Sequence, residues 1–245
     1  MSSVRGRSLS LAVVFVLVAA GRRPAMAQTT SPAPAPLTSA QIVEELGRHN
    51  QARTVALKNL KSIRHYQVEY RGFSAVIAAK MEVEYTYDAS SGKSFRIVTQ
   101  SGSRILLDKV LKRAVESEKE ASRDKGSTAL TAANYKFRVS GTENLGGRPA
   151  YRLDVEPLVA SKFLYRGKIW VDAAEFALVK IEAEPAKSPS FWIARTLIQQ
   201  SFAKTGSFWL PERNRSETKV RIGGTAVLTI DYGSYQIESN APPSR

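Results

Sequence analysis

The chain reads as a mainly β protein, an α+β arrangement of about ten or eleven antiparallel strands accompanied by two helices. Three observations carry that reading. Apolar and polar residues alternate with period two along many short segments; Asp-, Ser- and Gly-rich turns separate those segments; and only two stretches, from Thr38 to about Leu60 and from Arg104 to about Ala121, change to helical spacing. The segment Phe163–Pro185 shows the pattern well. Phe163, Tyr165, Ile169 and Val171 share one parity and Ala177, Val179, Ile181 and Ala183 another, with Arg166, Lys168, Lys180, Glu182 and Glu184 between them. Each arm therefore has one dry and one wet face, and Asp172-Ala-Ala-Glu175 supplies the turn, led by an Asp that can accept from its own downstream backbone.

In chain order, Met1–Ala27 has the layout of a secretory signal peptide: Arg5 and Arg7, an apolar run from Leu9 to Ala20, and Ala25-Met26-Ala27 as the cleavage site, placing the mature start at Gln28. The expected destination is the periplasm. Residues 28–37 form a Pro-rich linker, after which Thr38 and Gln41 have capping-box spacing, with Leu37 just outside the helix that follows. Strand patterns begin around Tyr66. The clearest is Ala79, Met81, Val83, Tyr85 and Tyr87 against Lys80, Glu82, Glu84 and Thr86, followed by the turn Asp88–Gly92 and a return strand through Phe95, Ile97 and Thr99. From Arg104 the stripe Leu107, Val110, Leu111, Ala114 and Val115 marks an amphipathic helix inserted into the meander, whose apolar side has only the sheet face to cover. Strands resume through Tyr135–Val139, a Gly146-Gly147 turn, Tyr151–Val155, the hairpin, Phe191–Lys204, Phe208–Pro211, Arg213–Ile222 and Val227–Ile237. One domain is expected over 38–237, with a frayed tail over 238–245.

Composition narrows the chemistry. The absence of cysteine excludes disulfides, thiolate metal sites and a cysteine nucleophile. The formal charge is +14, with Arg5, Arg7, Arg22 and Arg23 in the segment expected to be removed, so a basic surface remains for anionic lipid or an acidic partner. Export argues against nucleic acid. His49 and His65 stand away from any Ser-x-Gly elbow, zinc-binding pair or carboxylate cluster. No catalytic set, metal or cofactor is expected, and a non-enzymatic role is the expectation. Phe191-Trp192, Phe208-Trp209 and Trp170 are aromatics that can line a cavity mouth or simply pack.

The runs Leu145-Gly-Gly-Arg-Pro-Ala-Tyr-Arg-Leu-Asp-Val-Glu-Pro157, Tyr165-Arg-Gly-Lys-Ile-Trp-Val-Asp172 and Val179-Lys-Ile-Glu182 resemble the bacterial outer-membrane lipoprotein-sorting superfamily. That group contains the LolA-like periplasmic lipoprotein carrier, its outer-membrane receptor and the RseB-like sigma-E regulatory protein. The later Pro189-Ser-Phe-Trp, Phe208-Trp-Leu-Pro211 and Ser216-Glu-Thr218 resemble a subgroup of exported lipoprotein-sorting-like proteins. The resemblance implies an incomplete antiparallel β-barrel of about eleven strands, its concave face covered by helices and holding lipid or lipoprotein acyl chains. On that reading the cavity and lid candidates are Val83, Tyr85, Leu107, Val110, Leu111, Ile169, Val171, Val179 and Ile181. The implied function is a periplasmic lipid or lipoprotein carrier with a transport or chaperone role. The alternative is a signalling module that binds a partner anchored in the inner or outer membrane.

Overall fold

Thr38 starts the fold as the capping-box spacing predicts. Its hydroxyl accepts the Gln41 N–H at 3.3 Å while its own N–H donates to Gln41 Oε1 at 2.9 Å, opening helix α1, Ser39–Ala56. The computed structural model describes residues 37–72, 76–123, 125–188 and 190–240; the expected signal peptide, the linker through Pro36 and residues 241–245 lie outside them. The helix ends earlier than the sequence pattern suggests, because Leu57 to Lys61 are drawn into pairing with the end of the chain.

Eleven strands make the sheet: β1 Leu57–Arg71, β2 Val76–Asp88, β3 Gly92–Gly102, β4 Tyr135–Leu145, β5 Arg148–Pro157, β6 Tyr165–Asp172, β7 Leu178–Pro185, β8 Ile193–Thr205, β9 Phe208–Val220, β10 Thr225–Tyr232 and β11 Gln236–Ser239. Every pairing is antiparallel, and the order across the sheet is β3-β2-β1-β10-β9-β8-β7-β6-β5-β4, with β11 also on β1. The sheet stays open, an incomplete barrel with β3 and β4 as its outer strands.

Between β3 and β4 runs a crossing helix, 104–123, built of an α turn (Arg104–Leu106), a π turn (Leu107–Leu111) and an α-helix (Lys112–Arg123), with one further turn at Lys125–Thr128. Its start requires Gly102: at φ +95° a Cβ there would lie 2.4 Å from the Ala78 carbonyl oxygen, the same oxygen that accepts the Ser103 N–H at 2.8 Å. Leu106, Leu107, Leu111 and Val115 are buried, while Val110 and Ala114 sit at the margins.

Two apolar clusters line one face of the sheet. In the first, Ile42, Val43 and Leu46 of α1 cover Leu153, Val155, Ile169, Val171 and Ile181 of β5–β7. In the second, the crossing helix covers Tyr66, Val68, Met81, Val83 and Ile230. A single cross-strand row, Ile181–Gln200–Asn214–Ile230–Tyr66–Met81, connects them, so both clusters share the covered face and two amides lie between them. These amides bond each other at 2.7 Å.

Several sequence expectations change in the structure. Val179 falls where the β6–β7 register shifts, between Trp170↔Lys180 and Val171↔Leu178. The extra residue breaks the alternation, and Val179 lines a surface hollow with Lys180, Glu182, Ser201 and Arg213 rather than joining Ile181 in the core. Strand β9 runs through Pro211 without a break, because a register shift beside it accommodates the missing N–H. The last strand divides at Gly233, whose N–H donates to Ile63 O. Pairing then continues to Ser239, and Asn240 N–H reaches Ala56 O at 2.9 Å, so order extends into the expected tail.

Val83 is fully buried under the crossing helix, whereas Glu84 points the other way to Arg96 at 2.8 Å. Val83→Asp strands a carboxylate among apolar groups and is expected to lower unfolding stability by ~3 kcal/mol or more. Glu84→Gln is expected to shift the urea midpoint little, and equal shifts for the two variants contradict the assigned faces.

Candidate functional site

The covered face is not sealed. Where α1 ends and the crossing helix passes over β1, a cavity of about 430 Å³ remains, walled by Arg53, Leu60, Tyr85, Tyr87, Leu210 and Tyr235 among others. Its apolar floor is the cluster of Leu60, Tyr85, Phe208 and Leu210. Burial of Trp209 is assisted by polar anchoring: its indole N–H donates to Glu175 at 3.1 Å and Arg148 lies over its ring.

Arg64 dominates this cavity. β1 places it on the dry parity with Tyr66 and Val68, and it is only 4% exposed. Its guanidinium stacks 3.6 Å from the Tyr85 ring centroid and 4.9 Å from that of Tyr232, and Nη1 donates to Glu118 Oε2 of the crossing helix at 2.7 Å. Lys93 approaches the other Glu118 oxygen at 3.4 Å. Burial disfavours the charge, but the Glu118 carboxylate and the surrounding tyrosines outweigh it, and the arginine holds its proton more tightly than usual. Arg64 Nε and Ser62 Oγ have no hydrogen-bond partner among the described residues. An unpaired buried donor is costly, and Arg64 is among the residues that line the cavity.

Arg53 adds a second cation, its own pKa lowered by burial and supported by Tyr85 and Tyr87, with Nη1 on Trp209 O at 3.4 Å. Among the described residues Glu118 is the one acid in the lining, against Arg53, Arg64 and Lys93. The interior therefore combines apolar and aromatic walls with a net positive end.

The candidates from sequence do not meet in one place, and Val179 lies apart in its surface hollow. Val83, Leu107 and Leu111 meet in the cluster under the crossing helix, with Val110 at its margin; Tyr85 forms the cavity wall against Arg64. Ile169, Val171 and Ile181 pack beneath α1 instead. Arg64 and Glu118 were absent from that set, although both carry a signal: Arg64 interrupts the apolar parity Leu60–Tyr66–Val68, and Glu118 continues the stripe of Leu111 and Val115. Asp172 acts as the turn expects, accepting Ala174 and Glu175 N–H at 3.0 and 2.8 Å while Arg148 holds its far side. His65 pairs with Glu82 at 3.4 Å on the outer face, and no group of His, Asp or Glu suited to a metal occurs among the described residues.

In this half-barrel the crossing helix lies over an amphipathic cavity and meets the sheet through Glu118, paired with Arg64 and Lys93, and through buried Leu106, Leu107, Leu111 and Val115. The sequence matches no protein-family model and no curated protein. Solved structures similar to this chain include a DUF1329 family protein from Desulfovibrio piger, at 13% identity over 82% of this chain and 94% of that one, TM-score 0.40. Another is a putative outer membrane lipoprotein-sorting protein domain from Vibrio parahaemolyticus, 13% identical over 83% and 95%, TM-score 0.40. A third is a LolA superfamily protein from Nitrosomonas europaea, 12% identical over 84% and 96%, TM-score 0.34. No described helix is long and apolar enough to cross a membrane.

Removing the Glu118 charge leaves Arg64 buried without its anion. Because Glu118 is itself partly exposed, Glu118→Gln is expected to cost about 2 kcal/mol, less than a fully buried pair. The double variant Arg64→Met/Glu118→Gln is expected to recover most of that loss in a denaturant double-mutant cycle.

Alkaline pH probes the same cavity. Burial, offset in part by Arg64 and reinforced by Glu118, pushes Tyr85 up to about 12, and burial also raises Tyr232 and Tyr235. Between the ordinary tyrosine value and the raised one, the folded chain holds protons that the unfolded chain has lost. Stability is thus intact below about pH 10 and falls as pH rises toward 12. Ultraviolet titration is expected to show these phenols ionising together with unfolding; their ionisation in the intact fold contradicts the assigned burial.

Proposed function

We propose that this protein is a non-enzymatic carrier that binds the acyl chain of a lipid or lipoprotein in the half-barrel, with the crossing helix as its lid. The observation that carries the reading is Arg64, buried beside a 430 Å³ cavity, tied to the lid through Glu118 and left with one donor free. That volume lies in the usual range for small-molecule sites, roughly 300–1,000 Å³. An acyl chain entering between lid and sheet replaces the leucine contacts with its own, at ~0.8 kcal/mol per buried CH₂, while the cationic end meets an ester, carboxylate or phosphate oxygen. Release follows when the lid closes again onto the sheet and re-forms the Arg64–Glu118 pair. With export directed by the N-terminal segment, the carrier works in the periplasm.

A second reading, a regulatory module that binds a membrane-anchored partner, is favoured by the free edge of β3. That eleven-residue strand exposes Ile97 and Val98, and its outer backbone groups have no strand to pair with among the described residues, which is the arrangement a partner's added strand requires.

A fluorescent fatty-acyl probe separates the two. The wild-type protein is expected to bind it, and lipid is expected to be extracted from natively purified protein. Leu111→Ser loosens the lid and is expected to speed probe uptake several-fold, beyond what its cost in stability, ~2–5 kcal/mol, imposes on the whole fold. Destabilisation with unchanged uptake makes the helix a fixed part of the core. Absence of probe binding, with capture of a partner's periplasmic segment, favours the second reading.

A further inference from the structure

The two ends of the sheet differ in kind. At one end the turns are polar and closed by side-chain caps: Asp88 accepts Ser90 and Ser91 N–H, and Asn144 accepts Gly147 N–H at 2.8 Å. The other end comprises the connections that leave β1, β3, β5, β7 and β9, as the pairs Arg71↔Thr225, Ala79↔Gly102, Tyr135↔Pro157 and Ile193↔Val220 establish. Of the six most exposed large apolar residues described, Val76, Ile105, Val159, Phe191 and Ile222 lie there, and only Val55 lies elsewhere.

The centre of this rim is a built unit. Phe191 is 77% exposed, Trp192 57% and Ile222 68%, on two adjoining connections that bond to each other through Arg221 N–H and Trp192 O at 2.8 Å. The Phe191 and Trp192 rings meet edge to face at 5.6 Å, and the Arg221 guanidinium sits 5.4 Å from the Phe191 ring. Tyr70 OH donates to Gly223 O at 2.9 Å, and Gly224, at φ +85°, lets the turn press onto the Arg71 backbone. Ile222 is thereby held outward on a fixed support.

Charge identifies the partner. Among the described residues the rim acids are matched: Glu69 by Arg71, Glu184 by Arg195 and Glu217 by Arg215. Lys187, Lys219 and Arg221 are exposed and have no carboxylate partner among those residues. Exposed Trp and Phe flanked by unmatched cations suit the headgroup region of a negatively charged bilayer, where aromatic rings settle at the interface and each nearby cation adds attraction.

We propose that this rim docks the protein on the surface of an anionic bilayer, Phe191, Trp192 and Ile222 entering the interface and Lys187, Lys219 and Arg221 meeting lipid phosphates. This contact is independent of whatever the inner cavity holds. The test uses the protein as its producing cell processes it, mixed with vesicles of phosphatidylcholine alone or with about one third phosphatidylglycerol. Co-sedimentation and a blue shift in tryptophan emission are expected with the anionic vesicles, falling as salt rises. The set Phe191→Ser, Trp192→Ser, Ile222→Ser is expected to lower partitioning about tenfold or more, and Lys187→Gln, Lys219→Gln, Arg221→Gln to remove the salt dependence. Val55→Ser serves as the control without effect. All forms share one N-terminus, and the unfolding midpoint of each checks its fold. Wild-type protein that stays in the supernatant, as a face for another protein gives, or variants that sediment as well as wild type, overturn the proposal.

Discussion

Strands β3 and β4 are neighbours in the chain and opposite edges of the sheet. The segment joining them must travel from one edge to the other, and an amphipathic segment can do so only across a face where its leucines find apolar partners. The described contacts fit that route: Leu106, Leu107 and Leu111 pack over β1 and β2, while farther along Glu120 meets Lys162 at 2.9 Å and Asn134 reaches back to Gly126 O at 2.7 Å. The helix covers the sheet because connectivity leaves it there, and the cavity beside Arg64 exists because the helix passes over it.

The helix is held by buried Leu106, Leu107, Leu111 and Val115 and by Glu118, which meets the buried Arg64 guanidinium and Lys93. Buried ion pairs contribute little net stability, since desolvation consumes most of the Coulombic gain, but breaking one partner is expensive. Arg64 is cushioned by three aromatic rings, which lowers the cost of keeping its charge when Glu118 withdraws. In the proposed carrier, an oxygen supplied by the ligand takes the place of the helix's carboxylate.

Local rules are readable from sequence and non-local ones are not. The Thr38–Gln41 cap and the Met81–Val83–Tyr85 alternation depend on neighbours a few residues away, and both stand. Val179 misleads because a one-residue bulge reverses parity without altering composition. Arg64 is hard to read because a charge on a dry parity resembles a break in the pattern, and the anion that justifies it lies 54 residues later. The two Phe-Trp pairs show the limit most plainly: Phe208 is buried with Leu60 and Tyr85 and Trp209 against Glu175 and Arg148, Phe191-Trp192 projects outward beside Arg221, and the dipeptides themselves are identical.

The junction of β1 with β10 and β11 bears on how the molecule is made. β1–β3 form a local three-stranded piece and β4–β10 a local seven-stranded one, yet the two become one sheet only when residues 225–239 reach residues 57–71. A chain emerging from its N-terminus exposes the free edge of β1, and the bare faces of both pieces, until residues 225–239 have appeared. Such long-range closure makes folding slow and the waiting intermediate prone to association. Loss of residues 225–239 thus removes the seam that joins the two pieces.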